Sequence, residues 1–240
     1  MLLDLPITAL IVCIAVFLFL LLSFAVYASA NVCSQIYVKT LCKGKGKEKH
    51  IAISFDDGPH PEITPQIHQL LKEHAVPATF FCKGSLVKAH PEIVKASNDA
   101  GHIIGNHSYK HGWNFGFLSR KKIELELSKT NSLIHETIGK KPQLFRPPFG
   151  VTNPPIARAV RKLEMQAVGW SVRSLDTSLP KDKVLEKVNK KIAKGAVFLF
   201  HDNQKNTPEI LEDFLQTVKE KGFTVVPLPE ILEIEAYANS

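Results

Sequence analysis

Two aspartates stand side by side in the stretch ISFDDGPHPE, which covers residues 53–62. Asp56 and Asp57 follow a short apolar run and precede the rigid Gly58-Pro59 pair. Asp, Gly and Pro are ordinary turn residues, so a strand that ends in a polar turn is one interpretation. In the other interpretation a metal ion neutralises one carboxylate and leaves the second free to act as a base. The choice between them depends on the rest of the chain.

A pair of histidines four residues apart, His107 and His111, lies in the segment GNHSYKH. On a helical turn this spacing would place both imidazoles on one face. Two histidines and one carboxylate form a common three-ligand zinc site that leaves a position open for water. In a chain with ten histidines the pair is also compatible with an ordinary surface. It predicts a metal site when it is combined with one of the two aspartates.

An arginine and a third histidine occur at the ends of apolar runs. Arg146 lies in LFRPPFG, where two prolines fix the loop that follows. A guanidinium fork matches a carboxylate, so Arg146 is a candidate for holding an oriented base, although a surface ion pair is the simpler interpretation. His201 ends the apolar segment VFLFHD. It is either a hydrogen-bonded core histidine or a general acid that works near neutral pH.

Short apolar runs alternate with segments of helical periodicity after residue 50. Such alternation is typical of βα units and a parallel sheet, and seven strands favour a barrel over an open doubly wound sheet. The glycine-rich fingerprint of a dinucleotide fold is missing after the first strand. The predicted strands are 51–55, 78–82, 102–105, 144–146, 166–170, 196–200 and 223–226. The predicted helices are 63–74, 91–100, 119–139, 154–163, 181–193 and 207–221, with a last one from residue 229.

The candidate reactive residues all follow predicted strands. In an α/β barrel the chemistry belongs to loops at the carboxyl ends of the strands, so these side chains should converge on one rim. Ordinary surface residues would be spread over the helices and the opposite rim as well. The residues that meet this condition are Asp56, Asp57, His107, His111, Arg146, Asp176 and His201.

The charge of the chain gives little support for a nucleic-acid partner. The net charge is +7, of which the residues before His50 contribute +3 and the remainder +4. This is a mildly basic surface without a concentrated Lys/Arg stripe, so we predict no nucleic-acid partner.

The N-terminal region predicts a membrane helix. Residues 5–28 contain no charge, and 24 residues are enough to span about 30 Å of hydrocarbon. A cleavable signal peptide usually has a positive start and a shorter apolar core, so an uncleaved anchor is favoured, while ASA at residues 28–30 leaves cleavage open. We predict an anchor over 1–30, a basic linker over 31–49 and a catalytic domain over 50–240. Five lysines follow the span, and the positive-inside rule would place that domain in the cytoplasm.

The four cysteines fit neither a zinc knuckle nor a disulfide framework. Cys82 lies in an apolar run, where a buried thiol is expected. A bridge between Cys33 and Cys42 stays open.

The motifs SFDDGP, HSYKH, RPPFG, WSVRSLD and LFH follow one another in this order. Together they resemble the motifs of the polysaccharide deacetylases of carbohydrate esterase family 4, the NodB-homology domain, over about residues 50–230. The resemblance implies a distorted (β/α)7 TIM-like barrel, which in this chain would follow the N-terminal transmembrane helix predicted above. It also implies removal of N-acetyl, or less often O-acetyl, groups from glycans with a divalent metal, usually Zn²⁺.

The resemblance also implies roles for single residues. Asp56 would be the general base, with Asp57, His107 and His111 as metal ligands and Arg146 orienting the base.

Further roles concern the substrate. Phe149 stands where the family usually has Tyr, whose backbone N–H helps to hold the oxyanion. His201 would protonate the leaving amine, Leu199 would line the pocket for the acetyl methyl group, and Trp170 is retained on the substrate side.

The fourth motif departs from the family pattern. Arg173 stands where many members have Asp, and Thr177 where they have Trp, although Asp176 is in place. Whether Asp176 tunes His201 here, or Arg173 changes the arrangement, stays open.

We therefore expect a metal-dependent enzyme that removes N-acetyl groups from a cell-wall or extracellular polysaccharide. The alternatives are an O-acetyl polysaccharide esterase and a catalytically silent glycan-binding domain. A glycan substrate implies a domain outside the cytoplasm, and we favour this over the lysine signal because large domains translocate despite flanking charge.

Overall fold

Parallel strands alternate with helices along most of the chain. The computed structural model describes residues 7–46 and 48–238. The parts of the three predicted domains that cover residues 1–6, 47 and 239–240 lie outside this range. The strands are β1 (Thr40–Leu41), β2 (His50–Asp56), β3 (Thr79–Cys82), β4 (Ile103–Asn106), β5 (Leu144–Phe145), β6 (Gln166–Val168), β7 (Val172–Arg173), β8 (Val197–His201) and β9 (Thr224–Val225). The helices are α1 (Ile7–Ala30), α2 (Ile63–Glu73), α3 (Gly84–Ala89), α4 (Pro91–Asp99), α5 (Arg120–Ile138), α6 (Pro154–Lys162), α7 (Lys181–Asn189), α8 (Thr207–Glu220) and α9 (Leu228–Leu232).

The strands form one curved parallel sheet. Its order is β1-β6-β5-β4-β3-β2-β8-β7, and β9 pairs with the start of β2. β6 and β7 lie near opposite ends of this order, yet only residues 169–171 separate them. Because three residues span only about 10 Å, the two ends of the sheet must approach each other. The sheet is therefore strongly curved. Its end strands β1 and β7 do not pair with each other in the described part of the chain, so the fold is an α/β half-barrel and the predicted (β/α)7 barrel is not closed.

The sequence predicted seven of these strands, and the structure contains all seven. It also contains the two-residue strands β1 and β7, which lie outside the predicted apolar runs, and the six-residue helix α3. β1 lies within the segment 31–49, which we predicted to be a linker. This segment is part of the folded sheet, because β1 pairs with β6 at Thr40–Ala167 and Leu41–Val168.

Alternation along the strands decides which side chains face the barrel interior. Successive strand residues point to opposite faces. In β2, Ile51, Ile53 and Phe55 pack in the core between the sheet and the outer helices. Ser54 and Asp56 therefore point inward. In the neighbouring β8, Phe198 and Phe200 pack outward, so Leu199 and His201 point inward too.

The core has three parts. The largest lies between β2, β3, β4 and β8 and the helices α2, α4, α7 and α8. A second cluster packs α5 and α6 against β5 and β6. A third fills the interior with residues that include Phe81, Leu144 and Val168 and extends to Leu228 in α9. The first two clusters fix the strands from outside, and the interior holds the third cluster together with the polar groups at the rim.

The apolar helix α1 extends from this domain. It is long and apolar enough to cross a membrane by length and composition. Ala28 is its one buried residue. A disulfide joins Cys33 and Cys42 in the segment that follows, so the bridge that the sequence left open is present.

Candidate active site

The two adjacent aspartates point in different directions. Asp56 is the last residue of β2 and continues its inward alternation. Asp57 has a positive φ of 77°, in the left-handed region that Asp tolerates better than most residues. This backbone turn sends the second carboxylate toward His111, whose Nε2 is 3.7 Å from Asp57 Oδ1. One change of backbone region thus gives neighbouring carboxylates separate surroundings.

Arg146 binds the first carboxylate from inside the barrel. Its side chain is fully buried, and its Nη1 donates to Asp56 Oδ1 and to Ser54 Oγ, both at 2.8 Å. Nη2 donates to the Gly169 carbonyl at 2.8 Å and Nε to the Val168 carbonyl at 3.3 Å. Burial lowers the pKa of Arg146, and the charge of Asp56 opposes this. The guanidinium is therefore fixed on every side, and it fixes the orientation of Asp56.

Asp57, His107 and His111 form a three-residue cluster that could hold a metal ion. Their ligand atoms all lie within 4.8 Å of one another. His107 Nδ1 lies 2.8 Å from the Arg146 carbonyl, which assigns the proton to this nitrogen and leaves Nε2 as the ligand atom, 3.7 Å from Asp56 Oδ2. The hydrogen bond also links the cluster to the arginine that holds Asp56.

The histidine pair is not held by a helix, contrary to the premise of the sequence prediction. Residues 107–111 form an irregular loop in which Ser108 and His111 have φ values of 62° and 52°. The Ser108 N–H donates to Asn106 Oδ1 at 2.8 Å, and the His111 N–H to Ser108 Oγ at 3.1 Å. The rings still meet, with centroids 4.6 Å apart. Side-chain hydrogen bonds shape the loop, and spacing alone does not reveal them.

The charge states of the cluster suit a metal ion. Burial raises the pKa of Asp57, but the fields of His107, Lys83 and His111 outweigh it and leave the pKa below its usual value. Burial and the neighbouring His107 lower the pKa of His111 to about 4. At neutral pH these two groups are a carboxylate and a neutral imidazole, the forms that bind metal.

An unsatisfied oxygen also favours a cation at this position. Asp57 Oδ1 is buried and has no hydrogen-bond partner among the described residues, and its ion-pair neighbour Lys83 has Nζ 3.5 Å away. Buried polar atoms are rarely left unpaired, and a bound ion can supply the missing partner. The donor set of two imidazoles and one carboxylate fits a divalent metal with an open coordination position.

A histidine–aspartate pair lies on the neighbouring strand. His201 ends β8 beside Asp56, and its Nδ1 is 2.7 Å from Asp176 Oδ1. Asp176 also accepts from the His201 N–H at 2.8 Å, from Thr207 Oγ1 at 2.9 Å and from Ser174 Oγ at 2.8 Å. Arg173 therefore has not displaced Asp176 from the histidine.

The pair also shifts the pKa values of both groups. Burial lowers the pKa of His201, but the hydrogen bond and charge of Asp176 outweigh it and raise the pKa above its usual value. Burial raises the pKa of Asp176, and its bonds to His201 and Ser174 lower it below the usual value. Asp176 is an oriented carboxylate that favours the protonated form of His201.

The predicted substrate-side residues line the mouth of the barrel. Phe149 is 53% exposed, has a left-handed φ of 58°, and its ring lies 4.5 Å from that of His111. Gly150 follows with φ +70°, and a Cβ there would lie 2.7 Å from Trp170 Cη2. Leu199 is buried on the inner face of β8, two residues before His201. An open cavity of about 660 Å³ is lined by Phe149, Trp170, Ser171 and Arg173, with residues 30–33 and 42 on its other side.

The sequence interpretation missed several groups around the site. Ser54 accepts from Arg146, Lys83 approaches Asp57, and Thr207 binds Asp176. Asp202 is fully buried, accepts from Thr64 Oγ1 at 2.7 Å and contacts Gly58, where no Cβ could fit. Burial raises the pKa of Asp202 to about 7. Of these groups only Ser54 could have been found from the sequence, because strand alternation places it on the same face as Asp56. The contacts of the other three residues depend on tertiary packing.

Fold and site together define a class of hydrolase. One rim of the barrel carries a carboxylate held by arginine, a three-residue cluster that could hold a metal ion, and a histidine whose pKa is raised by an aspartate. Together these groups are suited to metal-assisted hydrolysis.

Comparison with known proteins agrees with this class. Residues 43–168 match the family model of the polysaccharide deacetylases. The chain is 32% identical over 194 residues to the peptidoglycan-N-acetylmuramic acid deacetylase PdaA of Bacillus subtilis, covering 79% of this chain and 73% of that protein. It is also 32% identical over 199 residues to the peptidoglycan-N-acetylglucosamine deacetylase PgdA of Listeria monocytogenes, covering 82% of this chain and 42% of the longer relative. The chain belongs to the polysaccharide deacetylase family, and the two relatives named here are deacetylases, which are hydrolases of amide bonds.

Solved structures show the same fold. A peptidoglycan N-acetylglucosamine deacetylase superposes with a TM-score of 0.79 at 28% identity, covering 83% of this chain and 95% of that one. A family 4 pseudoenzyme from Bacillus anthracis gives a TM-score of 0.74 at 32% identity, covering 80% and 68%. The fold is thus shared by a named deacetylase and a protein described as a pseudoenzyme, and only the site can distinguish these functions.

Proposed function

We propose that this protein is a zinc-dependent N-deacetylase that acts on a cell-wall glycan built from N-acetylglucosamine or N-acetylmuramic acid units. The observation that carries the proposal is the separation of the two carboxylates. Asp56 Oδ1 is bound by Arg146, whereas Asp57 Oδ1 lies beside His111 without a hydrogen-bond partner among the described residues. One acid is kept as an oriented base and the other is available as a ligand.

The catalytic roles follow from these positions. A Zn²⁺ ion held by Asp57, His107 and His111 would supply positive charge for the acetyl oxygen and make a bound water more acidic. Asp56, fixed by Arg146, accepts the proton of the attacking water. His201, kept in its protonated form by Asp176, donates a proton to the amine nitrogen as the C–N bond breaks. Acetate and a free amine are the products.

The substrate side is assigned to the mouth of the barrel. The backbone N–H of Phe149 stabilises the developing oxyanion, and Leu199 contacts the acetyl methyl group. Trp170 forms a wall for the sugar ring. An O-acetyl esterase would use the same groups, and the two activities are separated below by substrate.

The domain is assigned to the outside of the cytoplasmic membrane, anchored by α1. The disulfide between Cys33 and Cys42 is typical of oxidising compartments and opposes the lysine signal. Ala28 is buried, and the Ala28 and Ser29 carbonyls accept bonds from Thr152. Cleavage after ASA would remove these contacts, so a retained anchor is favoured over a signal peptide. The catalytic domain over 50–240 then follows the folded segment 31–49.

The test is acetate release by the purified full chain in detergent. N-acetylglucosamine oligomers, peptidoglycan and an O-acetylated xylan are the substrates, each with zinc and after chelation. We expect release from the N-acetylated glycans that chelation abolishes and zinc restores. Release from xylan alone would make the protein an esterase, and release from none would make it a silent glycan-binding domain.

Three variants separate the roles. Asp56→Asn should abolish turnover and retain metal, whereas His107→Ala should lose both. His135→Ala changes an exposed histidine on α5 and should keep both. Metal content at the wild-type level in the His107→Ala protein would refute the ligand assignment.

A further inference from the structure

The end of α1 is built into the catalytic domain. Ala28 has no exposed surface although it lies two residues before the helix ends. Its carbonyl accepts from Thr152 Oγ1 at 3.2 Å and from Ser34 Oγ at 2.9 Å. The Ser29 carbonyl accepts from the Thr152 N–H at 3.0 Å. No flexible linker therefore separates the apolar helix from the domain.

This junction lies beside the proposed active site. Thr152 follows directly on the loop that carries Arg146 and Phe149. Val32 is buried, and its Cβ would lie 3.4 Å from a Cβ placed on Gly150. The cavity that Phe149 lines is bounded on its other side by residues 30–33 and 42. The wall of the groove and the end of the membrane helix are thus one continuous surface.

Two aromatic side chains stand exposed next to the junction. Trp113 is 82% exposed and Phe117 is 87% exposed, the highest values among large apolar side chains of residues 7–46 and 48–238. Their loop contacts the same loop as α1. Asn153 Nδ2 donates to the Gly116 carbonyl at 2.6 Å, and a Cβ on Gly116 would lie 3.1 Å from Val151 Cγ1.

With α1 as the proposed anchor, the length of this helix sets the level of the membrane surface relative to the domain. A hydrocarbon core takes about 20 helical residues, which residues 7–27 supply, so Ala28 lies near the boundary with the headgroups. Because Ala28 is already held by the domain, the surface around it must lie at the headgroup level. Tryptophan favours this region of a bilayer, and exposed Phe side chains of membrane-surface segments are buried at its boundary with the acyl chains.

We propose that Trp113 and Phe117 insert into the headgroup region beside α1, so that the catalytic rim faces the bilayer. The inference rests on the proposed anchor and deepens the proposed function. It limits the substrate to acetylated glycan within reach of the membrane surface, including glycan still attached to a membrane lipid.

Fluorescence quenching tests the contact, because the chain contains two tryptophans, Trp113 and Trp170. The full chain is reconstituted into phosphatidylcholine vesicles, either unlabelled or brominated near the carbonyl end of the acyl chains. In the Trp170→Phe protein, Trp113 is the sole reporter, and its emission should be clearly lower in brominated than in unlabelled vesicles. The matched Trp113→Phe protein reports Trp170 and should lose much less. Equal Trp113 emission in both kinds of vesicle overturns the proposal, and a shift of that emission by soluble N-acetylglucosamine oligomers would assign the ring to sugar stacking instead.

Acetate release in the same vesicles tests whether the enzyme favours glycan at the membrane surface. A doubly substituted Trp113→Glu, Phe117→Glu protein should release acetate about tenfold more slowly from an oligomer attached to a vesicle lipid, and at an unchanged rate from the soluble oligomer. An equal effect on both substrates contradicts membrane seating. Zinc-dependent release by the wild type without quenching of Trp113 overturns this inference alone. Quenching without release supports the membrane contact and refutes the deacetylase.

Discussion

Replacing Arg146 by methionine tests whether the arginine is required by the carboxylate it binds. Methionine keeps much of the apolar volume and removes the guanidinium. The change deletes bonds from Nη1 to Asp56 and Ser54, from Nη2 to the Gly169 carbonyl and from Nε to the Val168 carbonyl. It also removes the charge that lies 4.1 Å above the centre of the Phe81 ring.

The expected loss in free energy of unfolding comes mainly from the unpaired carboxylate of Asp56. Its carboxylate is only 4% exposed and would lose the one cation with which it forms a hydrogen bond in the described part of the chain. Removing one partner of a buried ion pair costs about 3–5 kcal/mol. Small domains have about 5–15 kcal/mol of free energy of unfolding, so the variant would lose a large part of its stability. Arg146→Lys keeps the charge without the fork and should lose about 1–3 kcal/mol.

A second substitution identifies the source of this cost. Asp56→Asn in the Arg146→Met background removes the stranded charge and should restore about 2 kcal/mol, a coupling within the range found for contacting residues. Asp57→Asn is the matched control, because Asp57 makes no hydrogen bond to Arg146 in the structure and should restore little.

The assay is urea unfolding of the full chain in detergent, followed by circular dichroism, with a chelator present so that metal binding does not contribute. A loss below about 1 kcal/mol for Arg146→Met would refute the reasoning. So would equal restoration by Asp56→Asn and Asp57→Asn, because the cost would then not come from the stranded Asp56 charge.

Two further predictions concern His201 as the proposed general acid and the side of the membrane on which the domain lies. Burial lowers the pKa of His201 and Asp176 raises it, with a net increase, so Asp176→Asn should lower it. A general acid must be protonated, so acetate release should fall at a lower pH in this variant than in the wild type; an unchanged alkaline limb of the pH–rate profile would contradict the role of Asp176. Protease added to intact spheroplasts should degrade the domain, and a shielded domain would place it in the cytoplasm against our assignment.

The sequence predicted the rim well, because strand ends of a parallel sheet meet at one edge. Asp56, Asp57, Arg146 and His201 all follow apolar runs that are strands in the structure. It could not predict how residues 107–111 fold, since that loop depends on backbone N–H groups that donate to the side chains of Asn106 and Ser108. The spacing of the two histidines was informative even though the helical reason for it was wrong.

The segment that follows the apolar helix α1 shows that composition can give a wrong prediction. Lysines and glycines in 31–49 are typical of a tether, yet this segment forms β1 and the Cys33–Cys42 bridge. Thr40 and Leu41 lie between Lys39 and Lys43 and do not form an apolar run, and a nine-residue cysteine spacing has no unique interpretation. The sequence interpretation also missed Lys83 and Asp202, because only tertiary packing brings them near Asp57 and Gly58.

Arg146 explains why Asp56 and Asp57 can stand side by side. A buried Arg–Asp pair is a poor source of stability, because desolvation offsets much of its attraction. Its retention in the centre of the barrel is therefore better explained by orientation, since four hydrogen bonds on Arg146 fix one oxygen of Asp56. The left-handed backbone at Asp57 is also costly, and strained residues persist where the surroundings require them. The desolvated ion pair and the strained backbone both cost free energy, and together they give the two adjacent carboxylates different partners. The two carboxylates can therefore perform different tasks.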